Sequence, residues 1–309
     1  MKTLLLAITM VVAFAFGGRA FAWEDVQGMN QQIDNTNFIV GNGCSGTLIS
    51  VEHRLILTAH HCISRQISRV TRDVVGDDGT VEKVTFERRS RVTVQQSDYA
   101  EYEQVGSVSY QTVILDYKQE RDLALLQLVG DNLRSTEAAP VLPSSLKILR
   151  GEPVTVVGNP NGLDATVTDG VVSSMNRTFK VPWALNERVP LVQVSAAING
   201  GNSGGALYDG KGRVIGVVIA SIRGDGLGFA VPIFELYPLL DGLCMASIYD
   251  ADADDGACAA EKESAAEDGD DAIPGEPRIF GGERYECGAL GFDPVAVALI
   301  CDVDAPELL

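Results

Sequence analysis

Between Phe38 and Pro232 the apolar residues fall into short runs, several of them alternating with polar ones, and glycine or another turn residue closes nearly every run. That spacing belongs to β-strands, because an amphipathic helix repeats its apolar positions about every 3.6 residues over a longer stretch. Residues 45–50, 54–58, 81–86, 91–94 and 122–128 make one strand-rich block. A softer connector, 130–145, carries Pro140 and Pro143. A second block follows in 154–158, 170–174, 189–195, 204–208 and 214–220. Many short strands joined by glycine-rich turns predict barrels or sandwiches rather than a parallel α/β sheet. A short helix is expected over 233–240, limited by Pro238.

The ends of the chain differ from this middle. Lys2, an apolar run over 4–16 and the small-residue site Ala20-Phe21-Ala22 describe a cleavable secretory leader over residues 1–22. The run is shorter than the ~20 residues of a spanning helix, so no stable membrane span is expected after cleavage. The mature protein is expected to be secreted or periplasmic. In such an oxidising compartment six cysteines read as disulfides before metal ligands. The formal charge is −18, and residues 250–271 supply half of it. An excess of anions argues against nucleic acid as a partner, since phosphate binding needs a basic face.

Three short motifs carry the chemistry. Leu57-Thr58-Ala59-His60-His61-Cys62 delivers two histidines at a strand end, directly before a cysteine. Adjacent side chains point in different directions, so one histidine faces a common site, and His61 is the candidate. A bridge between Cys62 and Cys44, at the head of the preceding strand, would clamp this turn to its neighbour. Arg121-Asp122-Leu123-Ala124-Leu125-Leu126 sets an acid at the start of an apolar strand. Gly200-Gly201-Asn202-Ser203-Gly204-Gly205 sets a serine in a glycine-rich turn that enters another. Each alone is ordinary. Their order, His then Asp then Ser, is not.

With these motifs the chain resembles the chymotrypsin/trypsin-fold serine peptidases. The stretch from Ala196 to Leu207, together with Gly228-Phe229-Ala230-Val231-Pro232, is most like the bacterial Deg/HtrA-like branch. The resemblance implies an all-β fold of two six-stranded antiparallel β-barrels, about 38–130 and 150–240, within a peptidase domain over 23–243. It implies His61 as general base, Asp122 as its orienting acid and Ser203 as nucleophile, with Gly201 and Ser203 N–H groups as oxyanion hole. A protein or peptide substrate follows, and neither cofactor nor metal is expected. The alternative reading is a catalytically silent binding or chaperone-like module on the same scaffold. Oligomeric state is not legible.

Departures from the family pattern refine this picture. Digestive relatives place an aspartate before the serine to capture a new N-terminus. Asn202 stands there, so activity without propeptide cleavage is expected. The position that selects Lys or Arg in trypsin-like members is Ala197. With Ile198 and Ile222 it offers no counter-ion, and the strand Ile219 to Ser221 is expected to pair with the substrate backbone. Small or medium apolar P1 residues are therefore predicted, because burying an unpaired cation is costly. Beyond 243 an acidic linker (244–272) and a tail (273–309) are expected, too short for the PDZ domain of full Deg/HtrA proteins. Cys244, Cys258, Cys287 and Cys301 allow three pairings. The acids from Asp250 to Glu261 resemble a calcium loop, but Asp255 occupies the position that needs glycine, so a solvated spacer is expected.

Overall fold

Strand pairing follows the apolar runs. After helix α1 (Val26–Thr36) come β1 (Asn37–Val40), β2 (Cys44–Ser50), β3 (Leu55–Thr58) and a single helical turn, α2 (His60–Ile63). A hairpin of β4 (Ile67–Val75) and β5 (Val81–Arg89) precedes β6 (Val92–Ala100), β7 (Glu103–Lys118) and β8 (Leu123–Leu128). In the computed structural model, β1, β2, β3, β8, β7 and β6 close in that order into one antiparallel barrel. The second barrel comprises β9 (Pro153–Gly158), β10 (Thr166–Lys180), β11 (Arg188–Val194), β12 (Ala206–Asp209), β13 (Val214–Ser221) and β14 (Gly228–Pro232). It closes in the order β10, β11, β14, β13, β12, β9, also antiparallel. The all-β fold of two six-stranded barrels is thus as expected. The structure describes residues 25–75, 79–100, 103–180, 188–221, 227–267, 278–280 and 283–285. Residues 1–22, Ile222, Cys287 and Cys301 lie outside them.

Burial on β3 and β8 shows how the barrels meet. Side chains alternate between the two faces of a strand. Ile56, Ala124, Leu126 and Leu128 point into the first barrel, where they pack with Phe38, Val40 and Leu48. The intervening Leu55, Leu57, Leu123 and Leu125 join the core of the second barrel with Val156, Leu207 and Val217. Every residue of β3 is buried as a result, and continuous rather than alternating apolar sequence is what such a strand requires. Leu57 pairs with Leu125 and Thr58 with Ala124, so the C-terminal end of β3 and the N-terminal end of β8 lie side by side at the barrel interface.

Three segments depart from expectation. Helix α1, not foreseen, is capped by Asp25, whose side chain accepts from Gln27 N, and it buries Met29, Ile33 and Thr36. The 81–86 strand belongs to the β4–β5 hairpin, a separate two-stranded sheet. Beyond 243 the acidic stretch is folded as far as residue 267. After α3 (Tyr237–Gly242), helix α4 (Asp255–Glu267) is held by a Cys244–Cys258 disulfide, and Lys262 Nζ donates to Gly242 O at 2.5 Å. Tyr249 stacks on Tyr237 with ring centroids 4.0 Å apart. Residues 244–267 therefore form a braced appendage of the second barrel rather than a spacer.

Candidate active site

The ends of β3 and β8 set the first two candidate residues together. Past Thr58 the chain turns through α2, which carries His60 and His61. Asp122 adopts the left-handed conformation (φ 56°, ψ 41°) just before β8, a backbone state that non-glycine residues take up at a cost and that recurs at functional sites. Its carboxylate is fully buried and clamped at both oxygens. His61 N donates to Oδ1 at 2.8 Å, and His61 Nδ1 lies 2.7 Å from Oδ2. A carboxylate only accepts, so the proton sits on Nδ1 and the lone pair of the ring lies at Nε2. The His61 side chain remains 22% exposed, open enough to meet a substrate.

His60 points elsewhere, as the two-histidine motif predicts. Its N–H donates to Asp122 O at 3.2 Å, but its ring is buried and stacks on Tyr117, centroids 4.9 Å apart. Arg89 also lies over that tyrosine ring, its Cζ 5.0 Å from the centroid, and pairs with Glu87 at 2.7 Å. Burial pushes the His60 pKa down, outweighing the upward pull of Asp122, Glu87 and Glu120. His60 is a neutral packing residue.

Ser203 arrives from the second barrel, on the turn before β12. Its carbonyl accepts from Ser45 N at 2.8 Å and lies 3.6 Å from Cys62 Sγ. Cys62 is disulfide-bonded to Cys44, as expected, so the serine turn rests on the bridge beside His61. Both sulfurs are consumed by that bond, and neither is a thiolate ligand for a metal at His61. Gly201 and Gly204 hold φ of +102° and +85°, and a Cβ at Gly201 would lie 2.3 Å from Asn159 O. Only glycine fits there. Among the described residues, neither Gly201 N–H nor Ser203 N–H donates to a protein acceptor.

The remaining candidates sit around this turn. Ala197 is exposed and its carbonyl accepts from Thr168 Oγ1 at 2.8 Å. Ile198 is half-buried against Gly228, where a Cβ would come within 2.4 Å of Ile198 Cδ1. Ile219 is 2% exposed, with its side chain in the core, at a register shift between β13 and β14; only its main chain is available to a ligand. Ser221 is exposed at the end of β13, paired with Gly228. Asn202 is buried, and its Oδ1 has no hydrogen-bond partner among the described residues. Ser45 and Asn159, both fully buried beneath the serine turn, were not foreseen. They bond to each other across 114 positions of chain, and no local pattern marks them.

Residues 44–217 match the trypsin-like peptidase domain family. HhoB of Synechocystis sp. is 44% identical over 114 residues, covering 36% of this chain and 26% of that protein. The "Serine protease HtrA-like" protein of Staphylococcus aureus is 34% identical over 179 residues, covering 55% of this chain and 20% of its own length. The crystal structure of Deg5 aligns with 69% of this chain and 92% of its own, at 24% identity and a TM-score of 0.49. The chain spans about a quarter or less of the length of these curated relatives.

Proposed function

From the premise that the chain belongs to the trypsin-like peptidase domain family, we propose that it is a serine endopeptidase working through His61, Asp122 and Ser203. The observation that carries this reading is the two-point clamp on Asp122, at 2.8 and 2.7 Å from one histidine residue. A serine hydroxyl is a weak nucleophile until a base removes its proton as it attacks. His61 Nε2 takes the Ser203 proton and later delivers it to the leaving amine, while Asp122 holds the ring tautomer and stabilises the imidazolium. The oxyanion is met by the N–H groups of Gly201 and Ser203. Each such donor lowers the barrier by roughly 3–4 kcal/mol. Water then hydrolyses the acyl-enzyme by the reverse proton path.

The S1 pocket in this reading is bounded by Ala197 and Ile198, and the main chain of Ile219–Ser221 pairs with substrate. No carboxylate is among these residues, so Ala, Val or Leu is favoured at P1 over Lys or Arg. Substrates are proteins or peptides. Two disulfides favour an oxidising compartment outside the cytoplasm, and no helix of the described residues is long and apolar enough to cross a membrane.

A fluorophosphonate probe tests the mechanism. Wild-type protein should label at Ser203, Ser203→Ala should not label, and His61→Ala should label at least ~10³-fold more slowly. Equal labelling of wild type and His61→Ala would leave the silent-module reading standing. Cleavage of a peptide library tests the pocket, and dominance of Lys or Arg at P1 would refute it.

A further inference from the structure

The Ser203 turn is held plane by plane. A trans peptide sets its C=O and N–H in opposite directions, so fixing one aims the other. Gly200 O accepts from Asn161 N at 2.7 Å, and Asn202 O accepts from Gly205 N at 2.9 Å. These bonds hold the two planes whose N–H groups belong to Gly201 and Ser203. The plane between them is tied at both ends: Asn202 N donates to Asn199 O at 3.1 Å, and Gly201 O accepts from Ser45 Oγ at 2.8 Å. In the next plane Ser203 O accepts from Ser45 N at 2.8 Å, and Gly204 N donates to Val218 O at 2.7 Å. Four successive carbonyls are thus secured, and two of them depend on one residue.

That residue belongs to the other barrel. Ser45 stands at the head of β2, fully buried, with its own carbonyl accepting from Thr58 Oγ1 at 2.7 Å. Its hydroxyl has one proton and two lone pairs. The proton goes to Gly201 O. The lone pairs accept from Asn159 N at 2.8 Å and Asn159 Nδ2 at 3.1 Å. Asn159 is itself locked, with Nδ2 donating to Phe38 O at 3.0 Å and Oδ1 accepting from Asn37 Nδ2 and Ala165 N, both at 3.0 Å. The hydroxyl therefore has no freedom to turn its proton away from Gly201 O.

We propose that Ser45 is a positioning residue for the oxyanion hole: its hydroxyl, oriented by Asn159, holds the Gly201–Asn202 peptide so that the flanking Gly201 and Ser203 N–H groups converge on the oxyanion. This inference rests on the peptidase reading above and adds that the hole is assembled across the seam between the barrels. Without the hydroxyl, the Gly201 carbonyl loses its buried partner and the 201–202 plane can rotate. Ground-state binding, which does not use the hole, is left in place.

The experiment compares full-length wild type, Ser45→Ala and Ser45→Thr, which keeps a hydroxyl at Oγ. Expected for Ser45→Ala is a fall in kcat of about 10–100-fold with KM within about 2-fold. The affinity of a peptide boronate, which mimics the tetrahedral state, should fall by a similar factor. A peptide measured on the Ser203→Ala background should bind equally well with and without Ser45→Ala. Ser45→Thr should recover most of the loss. Wild-type kcat and boronate affinity in Ser45→Ala would overturn the inference, as would an equal loss of boronate and ground-state peptide binding. Wild type that fails to label with fluorophosphonate removes the peptidase reading and this inference with it; labelling wild type with an unaffected Ser45→Ala removes the inference alone.

Discussion

Two buried polar atoms beside the site, Asn202 Oδ1 and His60 Nδ1, have no hydrogen-bond partner among the described residues, and each makes a pH experiment informative. In Asn202→Asp the new carboxylate would be buried without a partner, so its pKa would rise above the ~3.9 of an unfolded Asp. A raised carboxylate pKa is a cost that grows as pH climbs past the unfolded value. Urea unfolding should show Asn202→Asp about 2–4 kcal/mol less stable than wild type at pH 7, with the gap narrowing toward pH 4. An unchanged stability at pH 7 would mean that the pocket can solvate a charge. For His60 the sign runs the other way. Burial lowers its folded pKa below 6.5, so the unfolded chain binds a proton that the native state refuses as pH falls. The contribution is intact above pH 6.5 and is lost below it. His60→Phe, which keeps a ring against Tyr117, should flatten the decline in stability between pH 7 and 5 by up to about 1.4 kcal/mol per pH unit. Parallel curves for the two proteins would show that His60 is not the group. The motifs that bear His61, Asp122 and Ser203 were legible because their order along the chain is itself a signal. The left-handed Asp122 and the Ser45–Asn159 pair were not, since each is defined by partners that only folding brings near.

Elements were legible where packing leaves a mark on local sequence, and illegible where it does not. β3 and β8, buried on both faces, read as continuous apolar runs. β4 and β5 carry Arg69, Thr71, Thr85 and Arg88, all exposed, and pair only with each other; the run 81–86 marks β5, whereas nothing distinguishes the sequence of β4 from loop. Helix α1 has only Met29, Ile33 and Thr36 on its buried face, and a tertiary bond from Gln32 Nε2 to Gly212 O, 2.8 Å, fixes it to the second barrel. Helix α4 lacks an apolar stripe. Its Ala, Glu and Lys favour a helix by propensity, yet its acidity resembles that of a spacer. What makes it an element is the brace: Cys244–Cys258, Lys262 on the last carbonyl of α3, and the cap in which Ala257 N donates to Asp254 Oδ1 at 2.9 Å. Removing the staple should therefore release the helix and spare the barrel. On the Ser203→Ala background, Cys258→Ser should be cut by added protease within 250–267 several-fold faster, because a crosslink closing a loop of this size stabilises by up to about 3 kcal/mol. In the otherwise native protein the same substitution should leave any kcat within about 2-fold. A tenfold loss of kcat would show that the appendage supports the site.

At the scale of the molecule, the two barrels share too much to unfold apart. Leu55, Leu57, Leu123 and Leu125 hang from the first barrel but lie in the core of the second, and the first barrel's Ser45 holds the second barrel's Gly201 and Ser203. Separating the barrels would expose the leucines to water, at about 25 cal/mol for each Å² of apolar surface, and would leave buried carbonyls unpaired. Neither barrel can keep its half of the site once the other has gone. Far-UV circular dichroism and fluorophosphonate labelling should accordingly be lost along one urea curve. Leu57→Ala, a truncation of a side chain that is 1% exposed at this seam, should shift both curves together by about 2–5 kcal/mol. Labelling that vanishes while half of the dichroism signal persists would reveal barrels that fold independently, and the leucines would then be a contact rather than a common core. Coincident loss would instead mean that the hydrogen bonds aiming the N–H groups and the apolar contacts holding the barrels together belong to one cooperative unit. In that case the geometry around Ser203 is as stable as the protein itself, and no separate equilibrium opens the site before the whole chain unfolds.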